Sequence, residues 1–155
     1  MDSEHKRILI LGIGNILLGD EGIGVHAIKY LEQQQLPDFV DLLDGGTGGF
    51  YILSVLETYK TIIMIDATLD DLPAGTLNVI EPKFASDFPK ALSSHEIGLK
   101  DLIESAALLN HLPKIYLITV SVKEIQDISL ELSPELSEIF PELYHTITEI
   151  LKGFE

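Results

Sequence analysis

The stretch ILILGIGNILLGDEGIGVHAI, residues 8–28, decides how the chain begins to fold. A run of four apolar residues leads into a glycine-rich turn, and apolar residues then recur at the helical spacing that Ile23 and Ala27 begin. An apolar strand, a tight turn and an amphipathic helix together form the opening unit of an α/β domain. The acidic pair Asp20-Glu21 stands directly before that helix.

Four further apolar runs resemble the first in length and in their content of Ile, Leu and Val. The run Ile62-Ile63-Met64-Ile65 contains no polar residue, which is typical of a strand that helices cover on both faces. Sheets of this kind are parallel or mixed. The five predicted strands are Arg7–Gly12, Phe39–Asp44, Lys60–Asp66, Thr76–Glu81 and Lys114–Ser121.

Helical patterns lie between and after these strands. They cover Ile23–Leu31, Tyr51–Leu56, a segment that opens with the capping box Ser93-x-x-Glu96, and the region from Ser133 to about Lys152. In the last region Ser133 is the expected cap, and Pro141 predicts a break near Phe140. The order of elements predicts one domain over residues 1–155, an α/β protein built as a three-layer α/β/α sandwich with a five-stranded, mostly parallel (mixed) sheet.

The composition limits the partners and the chemistry. The 155 residues include 10 Lys and Arg against 25 Asp and Glu, which gives a formal net charge of −15, so we expect no nucleic-acid partner and no membrane partner. The absence of cysteine excludes disulfides, thiol catalysis and thiolate metal ligands. Residues 1–7 are polar and resemble no export signal, and no segment resembles an oligomerisation seam, so we expect a cytoplasmic monomer.

The glycine-rich turn is disfavoured as a nucleotide-binding loop. The dinucleotide fingerprint G-x-G-x-x-G would begin at Gly12, but Leu17 stands where its third glycine is required. The phosphate-binding loop G-x-x-x-x-G-K-[ST] would begin at Gly14, but Asp20 and Glu21 occupy the places of its lysine and its hydroxyl residue. Two carboxylates at these places repel a phosphate.

Three side chains that suit a metal ion follow a strand or open a helix. Glu21 follows the first strand, Asp66 ends the third, and His95 stands in the first turn of a helix. Taken singly, Glu21 suits a helix N-terminus that Asp20 could cap, Asp66 could begin a turn, and a lone histidine is usually a surface or packing residue. In a doubly wound sheet these positions converge on one edge, where two carboxylates and an imidazole suit a divalent transition metal such as nickel or zinc. The three residues form no local motif, so the residues alone leave this site a hypothesis.

Four separated blocks carry a resemblance to a known family. They are the opening stretch at 8–28, LLDGGTGG at 42–49, IIMIDA at 62–67 and SSHEIGL at 93–99. With these blocks in this order, and with G-x-G-N-x-L-x-x-D-E-G-x-G intact in the first, the sequence resembles the hydrogenase maturation endopeptidases. Enzymes of that family remove a C-terminal extension from the large subunit of [NiFe] hydrogenases.

The resemblance implies a fold, a partner and a set of metal contacts. The fold is an α/β/α sandwich around a twisted five-stranded sheet, and the partner is the precursor of a [NiFe] hydrogenase large subunit. The family's metal contacts fall on Glu21, Asp66 and His95. The nickel is then that of the substrate, and zinc, cadmium or another divalent ion could occupy the site in vitro. Whether the metal is only recognised or also takes part in catalysis stays open.

The DGGTGG loop is a candidate for binding the substrate. Gly45, Gly46, Thr47 and Gly48 suit this role because glycines allow a peptide backbone to approach closely, and Asp44 is a candidate for a supporting catalytic role. The alternative is a tight strand-to-helix turn with Thr47 as the helix cap. A different class of function also stays open, a metal-binding chaperone or carrier that inspects the precursor without cutting it, because the sequence has no recognised nucleophile and no H-E-x-x-H motif.

Overall fold

A computed structural model describes residues 7–46, 50–83, 87, 99–108, 112–124 and 127–155. The strands are β1 (Ile8–Ile13), β2 (Val40–Gly46), β3 (Thr61–Thr68), β4 (Leu77–Ile80) and β5 (Lys114–Ser121). The helices are α1 (Ile23–Leu31), α2 (Phe50–Thr58), α3 (Leu99–Leu108), α4 (Pro134–Ser137) and α5 (Phe140–Lys152), and a 3-10 turn, Gly19–Gly22, precedes α1. All five predicted strands are present, and β5 has the predicted bounds. The predicted capping box, Ser93 to Glu96, lies outside the described residues.

The five strands form one sheet in the order β2-β1-β3-β5-β4. β1 is parallel to β2 and to β3, β3 is parallel to β5, and β4 alone runs antiparallel to its neighbour β5. The predicted five-stranded, mostly parallel mixed sheet is therefore confirmed. From β1 the chain passes through α1 to β2 on one side, and it then returns through α2 to β3 on the other side of β1. The order of strands thus reverses between β1 and β3.

Apolar side chains on both faces of the sheet hold three layers together. On one face Ile63 and Ile65 of β3 pack in a buried cluster with residues of α1 and α5. On the other face Ile62 and Met64 pack in a second cluster with residues of α2 and α3. Because successive strand residues point to opposite faces, the unbroken apolar run in β3 serves both clusters. This arrangement confirms the α/β/α sandwich.

The C-terminal region forms two helices, as the proline predicts. α4 ends at Ser137, and Pro141 lies in the first turn of α5, where its missing amide proton costs no helical hydrogen bond. Ser133 stands at the N-cap position of α4, but its hydroxyl makes no capping hydrogen bond, so the expected cap is only positional. Across the described segments no helix is long and apolar enough to span a membrane; the longest, α5, has 13 residues, against about 20 for a bilayer.

Candidate functional site

β1 and β3 stop pairing at their carboxyl ends, and we call the place where they part the crevice. Gly12 is the last residue of β1 that pairs with β3, and its partner there is Ile65. After Gly12 the register shifts, and Ile13 pairs with Gly46 on the opposite neighbour, β2. β3 meanwhile stays paired with β5 as far as Thr68. The order of strands reverses at this same position, and ligands of open α/β sheets bind at such switch points.

Asp66 is the first residue of β3 beyond the pairing with β1. It is half-buried and lies opposite Thr119 of β5. The alternation of side chains along the strand puts Asp66 on the face that packs against α2 and α3. Its Oδ1 accepts a 2.9 Å hydrogen bond from the amide of Ala67. Because pairing with β5 continues to Thr68, Asp66 lies within the strand, and the interpretation of it as the start of a turn is wrong.

Glu21 lies in the 3-10 turn and is only 4% exposed. Both of its carboxylate oxygens are buried, and the turn contacts β3. An acidic residue that serves only the helix dipole gains its small stabilisation at the surface, so this degree of burial exceeds what that role requires. Buried charges in proteins are paired with other groups or coordinate metal ions.

Two glycines bring this turn against the sheet. A Cβ on Gly24 would overlap the backbone of Ile13 and of Ile65, the residues on either side of the crevice. A Cβ on Gly14 would overlap the backbone carbonyl of Glu21. In a phosphate-binding loop, glycines let the backbone approach a ligand. Here the glycines let the turn and the start of α1 approach the backbone of β1 and β3. As a result the turn that contains Glu21 lies against β3, in which Asp66 follows Ile65.

The third predicted metal contact, His95, lies outside the described residues. α3 begins at Leu99, four positions later in the sequence, and ends at Leu108, shortly before β5 begins. Since β5 begins at the amino edge of the sheet, the first turn of α3 lies toward the carboxyl edge, where the crevice is. Within the described ranges no three His, Asp or Glu side chains form a group that could hold a metal ion. The structure thus describes two members of the predicted set of three.

Asp20, the neighbour of Glu21, is buried and does not cap a helix. The 3-10 turn begins after Leu18 and α1 begins after Gly22, and neither start has a side-chain capping bond. Instead, Oδ1 of Asp20 accepts a 2.7 Å hydrogen bond from the amide of Ser133. The expectation that Asp20 is a cap is wrong because a distant segment of the chain supplies the donor.

That segment, residues 127–133, lies beside the 3-10 turn, and none of the predicted strands or helices includes its first six residues. The amide of Ser129 donates to the carbonyl of Leu17, and the amide of Gly19 donates to the carbonyl of Ser129, both at 2.7 Å. Ser129 also forms a parallel β-bridge with Leu18. The strand-like alternation of apolar and polar residues in DISLELS was the signal that could have revealed it.

The DGGTGG loop leaves the carboxyl end of β2, at the same edge of the sheet. Asp44 is exposed, and its Oδ1 accepts a 2.9 Å hydrogen bond from the amide of Gly46, whose φ is +48°. Gly45 is buried, and a Cβ there would crowd the carbonyl oxygen of Gly12 at 3.2 Å. The hydrogen bond from the amide of Gly46 to Asp44 therefore stabilises the conformation of this turn. Thr47 and Gly48 lie outside the described residues, so the cap expected at Thr47 stays a prediction.

His26 lies on α1, near the turn. It is half-buried, whereas the sequence places it on the polar side of the helix. Burial lowers the pKa of His26, the charge of Lys29 lowers it further, and Asp20 opposes both. The imidazole is therefore neutral at neutral pH and adds no positive charge beside the carboxylates.

Fold and site together define a class of protein: an α/β/α domain with two acidic side chains, Glu21 and Asp66, at the switch point of its mostly parallel sheet. Residues 25–150 match the family model described as hydrogenase maturation protease. The hydrogenase expression/formation protein HupD of Rhizobium leguminosarum bv. viciae is 33% identical over 154 residues, which cover 96% of this chain and 75% of that protein. The hydrogenase 2 maturation protease of Escherichia coli K12 is 35% identical over 131 residues, which cover 83% of this chain and 80% of that protein.

Solved structures agree with these sequence relatives. The hydrogenase maturating endopeptidase HybD from E. coli superposes with a TM-score of 0.83 at 32% identity, over 95% of this chain and 93% of that one. The [NiFe] hydrogenase maturation protease HycI from Thermococcus kodakarensis KOD1 superposes with a TM-score of 0.69 at 25% identity, over 95% and 93% of the two chains. The chain belongs to the hydrogenase maturation protease family. This membership confirms the resemblance carried by the four sequence blocks, and it makes the chain a peptidase, against the carrier and nucleotide-binding alternatives.

Proposed function

We propose that this peptidase removes the C-terminal extension of a [NiFe] hydrogenase large-subunit precursor after nickel has been inserted, and that it recognises the nickel through Glu21, Asp66 and His95. The observation that carries the proposal is that the buried Glu21 and the half-buried Asp66 both lie at the switch point of the sheet, Glu21 in the turn that contacts β3 and Asp66 in β3 just beyond its pairing with β1. The relatives are proteases and endopeptidases of hydrogenase maturation, which supports a hydrogenase precursor as the substrate.

The proposed ligands suit a metal that arrives with the substrate. Metal binding requires deprotonated carboxylates and a neutral imidazole, so the site would take up the metal with these forms of its three side chains. The three side chains contact nickel that the precursor already holds, so a precursor without nickel offers them no cation. In this way the site distinguishes the loaded from the unloaded precursor.

The peptide to be cut lies along the loop after β2 in this proposal. Gly45, Gly46, Thr47 and Gly48 bind the extended segment of the precursor, and Asp44 has a supporting catalytic role. Support comes from the position of Gly46, which pairs with Ile13 at the same edge of the sheet as the crevice. Because the chain contains no cysteine, the hydrolysis uses oxygen or imidazole groups and no thiolate.

A cleavage assay tests the proposal directly. The purified protein is incubated with C-terminally extended precursor, either nickel-loaded or nickel-free, and the masses of the products are measured by mass spectrometry. We expect the loaded precursor alone to lose mass, by the amount of one C-terminal segment. Cleavage of both forms would contradict recognition through nickel, and retained binding without any cleavage would contradict the proposed processing of this precursor.

A further inference from the structure

Three exposed apolar side chains stand together beside the candidate site. Leu17, Ile128 and Leu130 are 53%, 83% and 63% exposed. The two backbone hydrogen bonds between Ser129 and the loop that contains Leu17 hold these residues side by side. Leu18 and Ser129 are also partners in an isolated β-bridge, which places the two segments next to each other. We name Leu17, Ile128 and Leu130 the apolar ridge.

The ridge borders a recess of about 350 Å³ that also has acidic walls. Its lining includes the exposed carboxylates Asp127 and Glu131 together with Ile128 and Leu132. The segment 127–133 has no basic residue. A recess that combines an apolar wall with two carboxylates suits the aliphatic stem and the cationic head of Lys or Arg.

The ridge is continuous with the candidate site. Gly19, whose amide bonds to Ser129, opens the same 3-10 turn that contains Glu21. The segment ends at Ser133, whose amide bonds to Asp20 of that turn. A macromolecule that presents a metal to Glu21 therefore meets the ridge at the same time.

We infer that the apolar ridge and its recess dock the precursor at a place outside the peptide to be cut, by binding an apolar segment with an adjacent basic residue. The inference rests on the proposed function for the identity of the partner. Single exposed apolar residues are ordinary on protein surfaces, whereas a contiguous group with a polar rim marks a binding surface.

The charge of the chain argues against a second copy as the occupant. A chain of net charge −15 would bring further carboxylates toward Asp127 and Glu131, and like charges that meet at an interface are unfavourable. A basic segment of the precursor instead complements the rim. This surface therefore favours a segment of the precursor that carries basic residues next to an apolar side chain.

The test uses two double variants and one matched control. Ile128→Ser with Leu130→Ser removes most of the ridge, and Asp127→Asn with Glu131→Gln neutralises the recess. Leu108→Ser is the control, because Leu108 is 86% exposed and ends α3, away from the carboxyl edge of the sheet. Each protein is measured for its Kd with nickel-loaded precursor and for its KM and kcat in processing, and thermal unfolding verifies that each is folded.

We expect the ridge variant to raise Kd and KM about tenfold or more with kcat unchanged, because truncation of central apolar contacts weakens docking without altering the chemistry. The charge variant should raise KM less and reduce its dependence on salt, and the control should match the wild type. Equal Kd values for the wild type and the ridge variant would overturn the inference. So would a dimer of the wild type that the ridge variant loses, because a second copy would then be the occupant.

Failure of the proposed function gives a different pattern. If the wild type binds the loaded precursor but does not cut it, the proposed processing is wrong, while the ratio of Kd values between wild type and ridge variant still decides the docking. If the wild type cuts the precursor, and the ridge variant has the same Kd and KM as the wild type, only the docking inference is overturned.

Discussion

The amide of Ser133 donates a 2.7 Å hydrogen bond to the carboxylate of Asp20, across 113 positions of sequence. Asp20 belongs to the 3-10 turn that buries Glu21, and Ser133 ends the segment that carries the apolar ridge. This bond therefore joins the proposed metal contact to the proposed docking surface. Because the turn has no side-chain cap, its position depends on such tertiary contacts.

Replacing Asp20 with alanine should destabilise the protein. The variant leaves the amide of Ser133 without its acceptor, and an unsatisfied polar group in a partly buried place costs about 1–3 kcal/mol. Asp20→Asn retains an acceptor oxygen at the same place and should lose less. Urea unfolding of the three proteins measures these differences in the free energy of unfolding. Equal stability of Asp20→Ala and the wild type would contradict the importance of this bond.

The proposed metal contacts should be required for processing and not for folding. Glu21→Gln, Asp66→Asn and His95→Ala each replace one metal ligand with a side chain of poorer or no donor strength, so each should abolish or strongly reduce cleavage of the loaded precursor. The matched control is Glu149→Gln, since Glu149 is exposed on α5 and pairs only locally with Lys152. Circular dichroism verifies the fold of each variant. Full activity in all three variants would contradict the assignment of these residues to a metal site.

The sequence was sufficient to predict those elements that are determined by residues close together in the chain. β5 has its predicted bounds because Lys114–Ser121 is one apolar run with few polar residues. The break before α5 followed from Pro141 alone. The position of Asp66 toward the carboxyl end of β3 likewise followed from its place after an apolar run, although the strand extends two residues beyond it.

Features that depend on distant partners could not be predicted in this way. β3 continues past Asp66 because Thr68 pairs with Ser121 of β5, which no local pattern reveals. The role of Asp20 depends on Ser133, and only the path of the chain after β5 brings the two together. The burial of Glu21 likewise arises from the packing of glycines against strand backbones.

An ion pair at the opposite end of the sheet should give a small, acid-sensitive stabilisation. Arg7 binds Asp41 through two hydrogen bonds of 2.9 and 2.6 Å, and the hydroxyl of Tyr59 donates to the same carboxylate at 2.9 Å. The bond from Arg7, with help from Tyr59 and against the effect of burial, lowers the pKa of Asp41 below its ordinary value of 3.8. Because the folded pKa is the lower one, the stabilisation is complete above the ordinary value and disappears as the pH falls through the lowered value.

Asp41→Asn should therefore lower the free energy of unfolding at neutral pH, and the difference from the wild type should vanish in acid. The effect should be small, since the two side chains are 38% and 33% exposed and water screens their attraction. Urea unfolding at a series of pH values measures the difference. A gap between the two proteins that persists in strong acid would show that the charge of Asp41 is not its source.

A single methyl group at Gly24 should disturb both the fold and the site. The Cβ of Gly24→Ala would overlap the backbone of Ile13 and Ile65, and rigid backbone cannot move aside as a flexible side chain does. The start of α1 must then shift away from the crevice, at a cost of about 1–3 kcal/mol or more, and the turn that contains Glu21 must shift with it.

Gly153→Ala is the matched control, because φ at Gly153 is −67° and a Cβ there would lie 3.5 Å from the carbonyl oxygen of Ile150, an ordinary contact. Thermal unfolding and the cleavage assay should both separate the two variants. Gly24→Ala should melt earlier, and the part of it that remains folded should process the precursor poorly, since its Glu21 is displaced. Gly153→Ala should match the wild type in both measurements. Wild-type stability and activity in Gly24→Ala would show that the close approach of α1 to β1 and β3 does not position the site.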